Sequence, residues 1–198
     1  MKPARLVIVF LSATLFLATG GNAQKKAAKQ GGDLRAETGK IRSAKKLMKI
    51  NDETEKRKKL IRDLYENVLN NRKFELLDEL VSDDFVGVGQ ERGAAGFRKN
   101  VKSVIDGFPD IKWIVEDVIA EGDRVAIRWS WTATHTRPFR GFPATNKPVA
   151  DTAIVIYEFK GDKIFRAWIQ SDRLGVLQQI GVIRTDLISN PSELKPRE

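Results

Sequence analysis

His135 is the only histidine of the chain, and it closes a segment in which apolar and polar residues alternate. Because its ordinary pKa is near neutrality, a histidine can act as a general base or donate a hydrogen bond to a ligand carbonyl. Alternation along a strand places His135 on the same face as Trp129 and Trp131. The other interpretation is a strand-end residue that is hydrogen-bonded to the loop after it.

Asp151 and Tyr157 are the remaining polar candidates. They lie at even spacing within residues 149–159, a predicted strand, and therefore share a face with Val155. An acid beside a tyrosine could enolise a ketone. We accordingly treat Asp151, with His135, as a candidate catalytic residue.

Asp172 and the large aromatic residues each allow a structural and a functional interpretation. Asp172 could be a pocket acid, but its place before a short predicted helix favours a helix N-cap. Four aromatic residues could line an apolar pocket or fill the core: Trp129, Trp131, Trp168 and Phe142.

Several classes of site are poorly supported by the composition. The chain has no cysteine, which excludes disulfides, thiolate metal sites and cysteine nucleophiles. One histidine and no clustered carboxylates argue against a metal centre. We find no glycine-rich phosphate loop and no Ser/His/Asp arrangement, and we expect no cofactor.

The net charge of +9 is concentrated near the N-terminus. Residues 24–59 carry 13 basic and 5 acidic groups, whereas residues 60–198 carry 20 basic and 21 acidic groups. A nucleic-acid-binding domain would concentrate basic charge on the fold itself. The nearly neutral main part of the chain argues against that class.

The N-terminus has the pattern of a secretory signal peptide. Lys2 and Arg5 precede an apolar run over residues 6–17, and small residues lead to a cleavage site after Ala23. We therefore expect an exported protein, periplasmic or secreted. Residues 24–51 are basic and polar, which predicts a disordered or weakly helical spacer. The spacer is either a solvated tether or a weak attachment to an anionic envelope surface.

The spacing of apolar residues predicts an α+β domain over residues 52–183, followed by a loose tail over 184–198. Three helices are predicted over about 52–70, 74–81 and 93–105, the first with Asp52 as N-cap and Glu55 as its capping-box partner. Strands are predicted over 85–88, 111–120, 125–135, 149–159 and 163–171, and a closing helix over 174–180. Helices packed on one face of a curved, mostly antiparallel sheet leave a pocket between them.

Several strings in this order resemble the SnoaL-like polyketide cyclases, including many ester cyclases. His135-Thr136 followed by Gly141-Phe142-Pro143-Ala144-Thr145 is similar to the family's His-Thr-Gly stretch and Gly-x-Pro-Pro-Thr loop. Residues 161–181, with Trp168 and Asp172, resemble the family's last strand and closing helix. The resemblance covers about residues 55–183. It implies the cone fold of nuclear transport factor two and ketosteroid isomerase, and a homodimer.

The resemblance also implies a chemistry that this chain alters. Active members close a polyketide ring by an aldol reaction without a cofactor, using an aspartate on the last strand and a histidine on the strand before it. The corresponding positions are Ile169 and Val155, neither of which can transfer a proton. We expect both to line the pocket with Tyr157, and we expect the protein to bind a small apolar, carbonyl-bearing molecule. The alternatives are a cyclase-, isomerase- or hydrolase-type enzyme working through His135 or Asp151, and a dimeric envelope interaction protein.

Overall fold

The computed structural model describes residues 20–184, and the side chains of residue 35 and of residues 37–184. The predicted cleavage site after Ala23 depends on an apolar run that lies outside the described residues, and so does the tail beyond residue 184. Residues 49–198 include one compact unit that contains the sheet and the core. Within the described part of the chain, no helix is long and apolar enough to cross a membrane.

The elements of this unit follow the predicted order. The helices are α1 (Gly20–Asp63), α2 (Leu77–Leu80), α3 (Gly93–Gly107) and α4 (Arg173–Gln179). A π-helical turn (Leu64–Leu69) continues α1, and a 3₁₀ turn (Phe74–Leu76) precedes α2. The strands are β1 (Val81–Val86), β2 (Lys112–Glu121), β3 (Arg124–Thr134), β4 (Pro148–Lys160) and β5 (Lys163–Ser171).

The first helix differs from its prediction. It begins at Gly20, so Asp52 and Glu55 lie inside it and form no N-terminal cap. The lysine, alanine and glutamine residues that suggested a disordered spacer are also good helix formers, and they allow the helix to continue without an apolar face. The side chains of residues 37–50 are all exposed.

The five strands form one sheet in the order β1-β5-β4-β3-β2. Neighbouring strands are antiparallel except for β1, which pairs parallel with β5. This α+β architecture, with helices covering one face of an open sheet, confirms the predicted fold class. The second predicted helix is shorter than expected because Val81 already belongs to β1.

Alternation determines which residues of the long strand β3 reach the core. Val125, Ile127, Trp129 and Trp131 are buried on one face, whereas the residues between them are exposed or half-buried. The buried face packs with the apolar residues of the π-helical turn and of α3 in a continuous core. Burying such side chains is the main stabilising contribution to folds of this kind.

Candidate functional site

A cavity of about 250 Å³ lies between the concave face of the sheet and the elements that cover it. Most of its wall is apolar or aromatic. These wall residues come from the π-helical turn, all five strands, α3 with the residue after it, and α4: Leu69, Phe85, Phe97, Val101, Val104, Phe108, Trp113, Trp129, Trp131, Val155, Ala167, Ile169, Val176 and Leu177. A pocket of this composition suits a largely apolar ligand.

Two tyrosine hydroxyl groups interrupt this apolar wall. The hydroxyl oxygens of Tyr65 and Tyr157 are 2.6 Å apart, and both side chains line the cavity while being almost fully buried. The Trp129 indole lies near Tyr65. Among the described residues, no acceptor forms a hydrogen bond with the Trp129 N–H. A buried polar atom without a partner requires an explanation in a native structure.

The π-helical turn presents Tyr65 to the cavity. It follows α1 directly, and it buries Leu64, Tyr65, Val68 and Leu69 against the sheet. Turns of this type are rare and frequently occur at functional sites. The sequence showed Tyr65 only as one member of an apolar stripe, because a hydroxyl pair between residues 92 positions apart leaves no local pattern.

Burial keeps both hydroxyl groups protonated. It raises the pKa of Tyr65 to about 12, although the hydrogen bond with Tyr157 and the nearby Trp129 indole oppose the shift. Burial also raises the pKa of Tyr157 well above its usual range, and the neighbouring Tyr65 adds to this. At physiological pH both side chains are therefore neutral and act as hydrogen-bond donors rather than as bases.

Val155 and Ile169 are directly paired neighbours on β4 and β5, and both line the cavity. The residues two positions along, Tyr157 and Ala167, form the next pair on the same face. The positions that the family resemblance implies for the acid/base groups therefore adjoin the tyrosine pair. Two aliphatic side chains here present no group that can transfer a proton.

Asp151 also lines the cavity, but it does not meet Tyr157. The two residues are six positions apart on β4, which corresponds to about 20 Å along an extended strand. The predicted acid beside a tyrosine is therefore not formed. Asp151 Oδ1 accepts hydrogen bonds from the backbone N–H groups of Thr152 (2.8 Å) and Asp172 (3.1 Å). Burial raises its pKa, and these two hydrogen bonds oppose the shift.

His135, a predicted candidate catalytic residue, is not among the residues that line the cavity. Its side chain is fully buried, and Nδ1 lies 3.1 Å from Thr145 Oγ1. The ring packs against Phe108, with ring centroids 5.2 Å apart, and Phe108 itself lines the cavity. Burial lowers the pKa of His135. The strand-end interpretation describes this residue, which binds the loop that follows β3.

The loop after β3 contributes Phe139 to the cavity rather than the predicted Phe142. The two residues pair through backbone hydrogen bonds of 2.9 Å in both directions, which places only Phe139 against α3. Gly107 permits this close approach, because a Cβ there would lie 2.8 Å from the Cβ of Phe139. Trp129 and Trp131 line the cavity.

Asp172 and Trp168 both lie away from the cavity wall. Asp172 is the N-cap of α4, and its Oδ1 accepts a hydrogen bond of 2.9 Å from the Gly175 N–H. Trp168 is 42% exposed on the outer face of the sheet, where Arg124 and Arg166 lie over its ring.

Six polar side chains that are exposed or half-buried also line the cavity. We call this group of residues the rim: Glu91, Asn100, Arg140, Asp151, Ser171 and Arg173. Only Asp151 among them was a sequence-based candidate, because the others come from two loops, α3, the end of β5 and the start of α4, whose positions relative to the cavity depend on long-range packing. Within residues 37–184, no three histidine or carboxylate side chains converge as metal ligands would.

Known proteins match both the sequence and the fold. The profile of the SnoaL-like polyketide cyclase family matches residues 59–180, which is more than half of the chain. A crystal structure of a proposed polyketide cyclase from Acidithiobacillus ferrooxidans is 30% identical with a TM-score of 0.57, over 63% of this chain and 94% of that chain. No curated protein matches significantly.

Two Streptomyces proteins have similar structures. IdmH, a proposed polyketide cyclase from Streptomyces antibioticus, is 28% identical with a TM-score of 0.57, over 63% of this chain and 98% of that chain. AclR, a proposed hydroxylase from Streptomyces galilaeus, is 26% identical with a TM-score of 0.59, over 66% of this chain and 98% of that chain. Sequence match, fold and cavity agree, and the chain belongs to the SnoaL-like polyketide cyclase family.

Proposed function

We propose that this protein is exported and binds a small apolar molecule with a carbonyl group, which it does not cyclise. The observation that carries the proposal is the Tyr65–Tyr157 hydroxyl pair within an otherwise apolar part of the cavity. The apolar wall favours a ligand with a hydrocarbon skeleton, and the hydroxyl pair favours a hydrogen-bond acceptor at one position on that skeleton. A carbonyl oxygen on an apolar skeleton meets both requirements.

The tyrosine pair and the Trp129 indole together carry more hydrogen-bond donors than the pair itself can accept. Two hydroxyl groups supply two protons, and the contact between them uses one. The second hydroxyl proton remains, and the Trp129 N–H, which lies near the Tyr65 hydroxyl, forms no hydrogen bond of ordinary geometry among the described residues. A carbonyl oxygen has two lone pairs and can accept both hydrogen bonds. Such a ligand would satisfy the buried indole.

The surroundings of the pair favour binding over cyclisation. Removing a proton from carbon requires a titratable group at the reacting atom. Val155 and Ile169 occupy the adjacent strand positions, Asp151 lies about 20 Å farther along β4, and His135 lies behind Phe108. Hydrogen bonds from the tyrosines could polarise a carbonyl, but no described base adjoins the carbon beside it.

An enzyme that works at the rim is the second candidate function. Asp151 favours it, because a carboxyl group with a raised pKa on a cavity wall is typical of a general acid or base. An enzyme of this kind would place its reacting carbon near Asp151 rather than near the tyrosines. Loss of turnover in Asp151→Asn with ligand binding unchanged would support this candidate over simple binding.

The proposal is tested with two matched probes, an aryl alkyl ketone and the same molecule with a methylene group in place of the carbonyl. Calorimetric titration should show that the ketone binds about fivefold more tightly, because a net hydrogen bond contributes about 1 kcal/mol. The difference should shrink in Tyr157→Phe. It should persist in Thr132→Val, which removes a hydroxyl group from the exposed face of β3. Equal affinities for both probes in the wild type, or no binding of either, would refute the proposal.

A further inference from the structure

The part of α1 that precedes the core carries a surplus of basic residues. Residues 24–51 contain nine basic and two acidic residues, and residues 35–48 contain five basic residues and one acidic residue, Glu37. The described side chains of residues 35–48 are all exposed. In the part of the chain that the structure describes, no carboxylate forms an ion pair with the basic residues of 35–48. Their charge is therefore available to an external anionic partner.

The helix places four of these basic residues on one side. Residues 35–48 are α-helical throughout, and an α-helix turns by about 100° per residue. Arg35, Arg42, Lys45 and Lys46 therefore lie within an arc of about 100° and along about 16 Å of the helix axis. Glu37 lies about 130° away from the middle of this arc. We call these four side chains the basic stripe.

The opposite side of this segment is not a continuous apolar face. Leu47 and Met48 lie there, but the same helical spacing places Glu37 and Lys40 among them. A helix that inserts its side chains into the acyl region of a membrane needs an apolar face to bury. The basic stripe can therefore attract an anionic surface by charge, whereas this segment lacks the apolar face that insertion requires.

We propose that the basic stripe binds the surface of a membrane that contains anionic phospholipids. The headgroups of such a membrane form a plane of negative charge, which all four cations of a straight helix can face at once. A flexible soluble polyanion would instead lose conformational freedom in following the stripe. This inference does not depend on the ligand of the cavity. Its consequence is that the chain keeps the domain with the cavity close to a lipid surface.

The test is sedimentation with lipid vesicles, using processed protein purified from its own host. The protein should bind vesicles of phosphatidylglycerol and phosphatidylcholine, and it should not bind vesicles of phosphatidylcholine alone. Binding should weaken as salt is added, because salt screens surface charges. Each basic residue near an anionic membrane contributes about fivefold to binding. The variant Arg35→Gln/Arg42→Gln/Lys45→Gln/Lys46→Gln should therefore bind more than about 100-fold more weakly. Its circular dichroism should stay unchanged, since glutamine is also a good helix former.

A matched control removes the same charge from four exposed basic residues outside the stripe: Arg62→Gln, Lys99→Gln, Lys102→Gln and Lys112→Gln. This control should bind the anionic vesicles nearly as the wild type does. An equal loss of binding in the control would assign the effect to net charge and overturn the inference. Equal binding to both kinds of vesicle would overturn it as well. Binding of polyphosphate without binding of vesicles would assign the stripe to a soluble polyanion, and absence of all binding would leave it a solvated tether; either result contradicts the proposal.

Discussion

Removing either hydroxyl of the Tyr65–Tyr157 pair should destabilise the fold more than removing both. The two oxygens are 2.6 Å apart, and the two side chains are 4% and 3% exposed. Tyr157→Phe leaves the Tyr65 hydroxyl buried without its partner, and an unsatisfied buried polar group costs about 1–3 kcal/mol. Tyr65→Phe has the reciprocal effect. In the double variant no polar atom of the pair remains, so most of this cost should disappear.

The magnitude follows from a double-mutant cycle. We expect each single variant to lose about 1–2 kcal/mol of unfolding free energy and the double variant to lose less than about 1 kcal/mol. The coupling energy would then be about 1–3 kcal/mol. Urea unfolding followed by tryptophan fluorescence measures all four proteins. Losses that simply add, with a double variant as unstable as the sum of both singles, would show that the hydroxyl contact contributes nothing.

Four further predictions follow from individual elements. Ile169→Asp should lower the unfolding free energy by about 3 kcal/mol, because it buries a carboxyl group in the apolar wall. Adding Val155→His should recover part of this loss, because the two positions are paired on β4 and β5. A double variant as unstable as Ile169→Asp alone would contradict this pairing. Burial lowers the pKa of His135, so the unfolded chain takes up a proton at a higher pH than the folded protein does. The unfolding free energy should therefore decrease as pH falls below about 6.5. His135→Gln should flatten this pH dependence, and an unchanged pH profile in that variant would contradict the prediction. Deleting residues 24–50 should change Tm by less than about 2 °C because the described side chains there are exposed, whereas a drop of several degrees would show that the arm packs on the domain. Mass spectrometry of protein from its own host should find Gln24, or its cyclised form, at the N-terminus, and an intact Met1 would exclude cleavage.

The strands could be predicted from sequence because each has an alternating pattern of its own. Residues 125–135 showed one apolar and one polar face, and β3 buries that apolar face. The limits of α1 and β1 could not be predicted in the same way. The helix-forming residues before Asp52 allow α1 to start at Gly20, so the helix has no cap at Asp52. The limits of β1 depend on its parallel pairing with β5, which is remote in sequence.

The candidate site was predictable only where strand register defined it. Val155, Tyr157 and Ile169 follow from alternation together with the family resemblance, and all three line the cavity. Tyr65 and His135 did not follow, because their surroundings depend on the π-helical turn and on Phe108. A local pattern specifies which face a side chain occupies, but only tertiary packing determines what lies in front of it.

Exchange of the protons beside the ketone is the most direct test of binding without proton transfer. An aryl alkyl ketone is incubated in deuterated buffer with the wild-type protein, and its spectrum is followed by nuclear magnetic resonance. We predict broadened and shifted ligand signals that report binding, with deuterium incorporation no faster than in buffer alone, because Val155 and Ile169 provide no base beside the tyrosine pair. Deuterium incorporation that is faster with the wild-type protein than in buffer, and that returns to the buffer rate with Asp151→Asn, would contradict the proposal. Such a result would identify the protein as an enzyme.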